Sequence, residues 1–135
     1  MGRINDKIIE IEKFLEELED IIPGNFEEYK KDFQKKAACE RYFEKIIEAV
    51  VDLGFILIRE NDFRIPEDDE GVFEILLSKG IISERLSSKL RDAKGMRNII
   101  AHEYGNIDDE LIFETISNEL KKDVEDFIDN IEKFK

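Results

Sequence analysis

Apolar residues in the first part of the chain fall at Ile4, Ile8, Ile11, Leu15, Leu18 and Ile22, at spacings of 4, 3, 4, 3 and 4. That alternation keeps one stripe of an α-helix apolar and predicts a helix buried along that stripe. Pro23-Gly24 ends it, because proline cannot continue the hydrogen-bond ladder and glycine tolerates the turn. A long helical region is predicted over residues 26–60, bent near Asp32, with Phe43, Ile46, Ile47, Val50, Val51, Leu57 and Ile58 at helical spacing. Residues 61–69, with Pro66 and clustered Asp and Glu, form the main loop. A short helix over 69–79 carries Val72, Phe73, Leu76 and Leu77, with Gly80 as its C-terminal cap. Ser83 is the expected cap of the next helix, which reaches about residue 103 with Leu86, Leu90, Ala93, Met96 and Ile100 inward and is broken by Gly105-Asn106. Asp108 starts one final helix holding Ile112, Ile116, Leu120, Val124, Phe127, Ile131 and Phe134. No strand pattern competes. The expected architecture is all-α, an antiparallel bundle of four to five helices forming a single domain over residues 1–135.

Composition agrees with a packed core. Of 135 residues, 41% are hydrophobic, and only two are proline, so disorder is not expected despite 41% charged side chains. The opening residues lead straight into the amphipathic pattern with no leader-like run, and the most apolar stretch, residues 49–58, is interrupted by Asp52 and too short to span a bilayer. A cytoplasmic location is therefore expected. Cys39 is the single cysteine, which leaves no intrachain disulfide, and its neighbours Ala37 and Ala38 suggest a small packing residue.

The net charge of −13 argues against a protein that coats nucleic acid generally. The charge is uneven, however. Residues 79–98 carry Lys79, Arg85, Lys89, Arg91, Lys94 and Arg97 against Glu84 and Asp92, a net +4, and residues 30–41 carry a net +3. An anion-binding face would draw on these two segments, although charge alone fits two solvated helix faces equally well.

The segment Gly95-Met96-Arg97-Asn98-Ile99-Ile100-Ala101-His102-Glu103-Tyr104-Gly105 holds the richest chemistry. His102 is the only histidine, hence the natural candidate for proton transfer near neutral pH. A surface or capping histidine near a helix C-terminus is the plain alternative. Arg97 falls on the apolar stripe of its helix at 100° per residue. A guanidinium stays charged, so Arg97 must meet a carboxylate in an internal ion pair, line a polar cleft, or face a subunit interface. Asn98 and His102, four apart, share one face. Arg97 and His102 lie roughly 140° apart on an unbroken helix. Either the helix unwinds at His102, or a second copy supplies the missing groups across a two-fold axis. Glu48 and Asp52, also four apart, look structural or solvent-facing. One histidine without a cysteine beside it offers no metal site.

Arg97-Asn98, three residues, then His102-Glu103-Tyr104 resembles the RNxxxH motif of HEPN domains, in the RX4HXY form of HepT-like proteins. The likeness extends to Ala38-Cys39-Glu40-Arg41-Tyr42, residues 47–52, residues 72–76 and Leu90-Arg91, and spans roughly residues 4–134. The resemblance implies a helical bundle that dimerises with its motifs close together. It further implies a metal-independent endoribonuclease without cofactors, the toxin of a toxin–antitoxin pair. A minimal nucleotidyltransferase antitoxin would silence it by transferring AMP to Tyr104. Tyr104 can equally pack its ring on the Leu86–Leu90 stripe.

RNA carries its own nucleophile, the 2′-hydroxyl. His102 is therefore expected to remove the 2′-hydroxyl proton or protonate the leaving 5′-oxygen, with its counterpart in a second copy taking the complementary role. Arg97 is expected to hold the phosphorane oxygens, and Asn98 to orient His102 or hydrogen-bond the phosphate. Lys89, Arg91 and Lys94 are expected to guide the RNA strand. The alternative function is a non-catalytic HEPN partner that docks a nucleotidyltransferase.

Overall fold

A computed structural model of the chain describes residues 2–102 and 107–135. The first apolar stripe forms α1 (Gly2–Ile21), with Ile4, Ile8, Ile11, Leu15 and Leu18 buried. The expected bend at Asp32 is a full break between α2 (Phe26–Lys31) and α3 (Phe33–Glu60). Asp32 serves both helices: its backbone N–H donates to the Glu28 carbonyl at 3.2 Å, and its carboxylate accepts from the Lys35 N–H at 3.0 Å.

Beyond a loop, α4 (Asp69–Ser78) is capped by the Asp68 carboxylate on Gly71 N–H. It closes in a Schellman motif. Ile81 N–H donates to Leu76 O and Gly80 N–H to Leu77 O, each at 3.0 Å, with Gly80 at φ +72°, where a side chain would be strained. The Ser83 hydroxyl accepts from Leu86 N–H at 3.1 Å and starts α5 (Glu84–His102). The expected break at Gly105-Asn106 lies outside the described residues.

Asp108 caps α6 (Asp109–Asn118), as its position predicts. The single final helix does not form. Glu119 separates α6 from α7 (Leu120–Phe134). The interruption is local: Glu119 N–H still reaches Thr115 O, and Asp123 N–H reaches Glu119 O, both at 3.0 Å. The described residues thus form seven helical segments rather than four or five, because two expected helices are each divided by one residue. The all-α class stands.

The centre of the bundle is α3, which packs against α1, α2, α4 and α5. Its buried face runs from Cys39 through Phe43, Ile46, Ile47, Val50, Leu53, Leu57 and Ile58. Burial, with Glu40 beside it, pushes the Cys39 thiol up to about 11, which suits a packing residue rather than a reactive one. At Gly54 a Cβ would stand 2.4 Å from Val72 Cγ1, so the absence of a side chain lets α4 lie directly on α3. Phe73 of α4 meets Phe127 of α7 edge-on, with ring centroids 6.0 Å apart. Phe134, expected inward, is 42% exposed at the chain end with its ring 6.1 Å from Phe63. Among the described residues, no helix is long and apolar enough to cross a membrane.

Candidate active site

Leu86, Leu90 and Ile100 anchor α5 in the core, and α4 and α7 flank it. This anchoring fixes where the polar side chains of its second half must point. Arg97, on the same stripe, is half-buried and aims back at α3, where its Nη2 forms an ion pair with Glu48 Oε1. The internal ion pair, one of the options left open by its position, is thus present among the described residues. Its Nη1 donates to Asn98 Oδ1 at 3.3 Å, and its Nε is buried with no acceptor among the described residues.

Asn98 Oδ1 accepts a second hydrogen bond, from Lys94 Nζ at 2.9 Å. Lys94 Nζ also lies 3.4 Å from Asp69 Oδ2 at the start of α4. Lys94 is only 8% exposed, an unusual position for an ammonium, and these two oxygens are what offset its loss of water. Glu48, Asp69, Lys94, Arg97 and Asn98 therefore form one polar network joining α3, α4 and α5.

His102 is elsewhere. It is exposed at the last residue of α5, and no hydrogen bond or ion pair ties it to the network among the described residues. The helix stays regular through His102, so the 140° separation from Arg97 persists. On the His102 side, Gly95 and Ile99 precede it at helical spacing. Ile99 is 40% exposed, and nothing lies within 4 Å of a Cβ placed on Gly95. With Met96 and the 49%-exposed Leu111 of α6, they line an open groove of about 540 Å³.

Lys89, Arg91 and Lys94, expected to guide the RNA strand, each meet a different partner. Lys94 turns inward to Asn98 and to Asp69 of α4, whereas Lys89 turns toward α7 and pairs with Glu119 at 2.8 Å. Five residues of helix separate those two lysines by about 140°. Arg91 folds along its own helix, with its Nε donating to Ser87 O at 3.4 Å. Tyr104 and Glu103 lie outside the described residues.

A family model described as ribonuclease HepT-like matches residues 11–131. The chain belongs to the HepT-like ribonuclease family. It is 26% identical to the mRNA nuclease HepT of Shewanella oneidensis over 128 residues, which is 95% of each chain. It is also 26% identical to the tRNA nuclease HepT of Aphanizomenon flos-aquae, covering 90% of this chain and 86% of that one. Its fold superposes on the tri-AMPylated Shewanella oneidensis HEPN toxin, solved in complex with an MNT antitoxin, with a TM-score of 0.89 at 25% identity over 96% of both chains.

Within this HepT-like fold, sequence reasoning located Arg97 and Asn98 but treated Glu48 as structural or solvent-facing and did not single out Asp69. The only signal for Glu48 was indirect: a guanidinium on an apolar stripe must have an anionic neighbour. Which carboxylate it meets depends on how α3 and α5 cross, and that crossing is a tertiary fact.

Proposed function

We propose that this HepT-like chain is a metal-independent endoribonuclease whose site is completed by two copies of the chain. The observation that carries this is the fixed guanidinium of Arg97, held by Glu48 and Asn98, on an α5 whose exposed end carries His102 on another face. One helix cannot aim both groups at one phosphate. A second copy related by a two-fold axis can supply the missing group. The exposed apolar Ile99 and Leu111 suit such a contact.

In this reaction the RNA 2′-oxygen attacks the adjacent phosphorus, the P–O5′ bond breaks, and a 2′,3′-cyclic phosphate and a 5′-hydroxyl result. His102 takes the 2′-hydroxyl proton or supplies the one that leaves with the 5′-oxygen. Arg97 and Asn98 stabilise the charge that builds on the phosphorane oxygens. Arg91 and Lys89 line the approach, Lys89 exchanging Glu119 for phosphate.

The biological setting we infer is that of a toxin held in check by a minimal nucleotidyltransferase. The Shewanella complex with its AMPylated toxin supports this, and Tyr104 at the family's motif position is the acceptor we assign. One observation favours the second function, a non-catalytic partner of that antitoxin: the Arg97 charge is already answered by Glu48. Incubating RNA with the protein in excess chelator tests the choice. Cyclic-phosphate ends are expected, with His102→Ala slower by at least about 100-fold. Cleavage that needs Mg²⁺, or that survives loss of His102, contradicts the nuclease mechanism.

A further inference from the structure

We infer that Lys94 is a positioning residue that fixes the Asn98 amide with its oxygen inward, so that Asn98 Nδ2–H₂ is the donor presented to a phosphate oxygen of RNA. The inference rests on the ribonuclease function proposed above.

Lysine and arginine side chains only donate hydrogen bonds. The Asn98 atom facing Lys94 Nζ at 2.9 Å and Arg97 Nη1 at 3.3 Å must therefore be the oxygen, whatever else surrounds it. The planar amide then directs its nitrogen away from both cations. Among the described residues that nitrogen has no acceptor, and it is not among the buried polar atoms left without one. A free asparagine amide can present either end to a ligand. This one is set to donate, and a donor is what a phosphorane oxygen requires. Asn98 is also four residues before His102, so the donor lies on the side from which His102 acts.

Lys94 itself is poorly placed to touch RNA, being 8% exposed with its ammonium engaged by Asn98 and Asp69. Its influence on the reaction must pass through the amide it holds.

Two substitutions separate this role from a structural one. Asn98→Asp is nearly isosteric and places a carboxylate between the two cations, so the fold is kept or tightened. It replaces the outward donor by an acceptor facing an anion. Lys94→Met keeps the length of the side chain and removes the lock. The experiment measures thermal melting, RNA cleavage in excess chelator, and binding of a non-cleavable 2′-deoxy oligonucleotide. It compares wild type, Asn98→Asp, Asn98→Ala, Lys94→Met and the Asn98→Ala/Lys94→Met double variant.

Asn98→Asp should melt at or above the wild-type temperature yet cleave about 100-fold more slowly, the scale of losing one oxyanion donor. Lys94→Met should lower kcat in the wild-type background and add nothing in the Asn98→Ala background, as expected of two residues acting as one unit. Wild-type rates from Asn98→Asp, or losses from Lys94→Met and Asn98→Ala that multiply, overturn the proposal. If Lys94→Met does not fold, Lys94→Leu takes its place in the same pair of backgrounds. A wild type that binds the oligonucleotide with this same non-additive pattern but cuts no RNA removes the nuclease function and leaves the amide lock standing. Neither binding nor cleavage removes both.

Discussion

Arg97 meets Glu48 49 positions away in sequence, and that single pairing converts a stray charge on an apolar stripe into the organising contact of the site. The need for such a partner was legible, since an arginine among Leu86, Leu90 and Ile100 requires one. The partner itself was not, because Glu48 belongs to a helix carrying Glu40 and Glu44 at the same spacing, and the sequence does not rank them. Glu40 has a different fate. Burial raises its carboxyl above the usual range, Lys36 opposes this, and Asp109 and Glu44 add to it. The folded chain therefore binds this proton more tightly than the unfolded one. Its contribution to stability is fully present below the ordinary glutamate value of about 4.3 and is lost as pH rises through the higher folded value. Glu40→Gln should raise the melting temperature at neutral pH and shrink the gain seen on acidification toward pH 5. Asp123, raised chiefly by burial, should leave a residual gain. An unchanged pH profile in Glu40→Gln would show that its burial costs nothing.

At the scale of elements, the helices with the strongest 3–4 spacing were readable almost to their ends. Glu119 was not, because Ile116, Leu120 and Val124 keep perfect register across it and only the backbone records the interruption. The Asp32 break left a visible sign, an aspartate followed by a fresh helical pattern, and its capping hydrogen bond explains why the chain stops and restarts there. The tightest crossing is that of α3 and α4 at Gly54. Alanine there gains about 1 kcal/mol in helix propensity. It also drives a methyl to 2.4 Å from Val72 Cγ1, on a side chain that is β-branched and stiff. Overpacking of this kind costs about 1–3 kcal/mol. Gly54→Ala should therefore lower the melting temperature, and adding Val72→Ala should cost less than the two single losses combined. Strictly additive losses would mean that the crossing adjusts freely.

For the whole molecule, net positive charge in this strongly acidic chain gathers in residues 79–98 and 30–41, so an RNA path over the surface is narrow. The fold class was plain in the sequence because every segment repeats one period. A regular α5 sends Arg97 and His102 in different directions, and the proposed dimer would reunite them across a two-fold axis. Subunit mixing tests that claim most directly. Arg97→Ala and His102→Ala proteins, each inactive, are dissociated, combined and reassociated, and RNA cleavage in chelator is then measured. If His102 of one copy acts with Arg97 of the other, mixed dimers contain one intact pair, and cleavage appears that neither parent shows. If each chain holds a complete site of its own, every site in the mixture lacks one group and no activity returns.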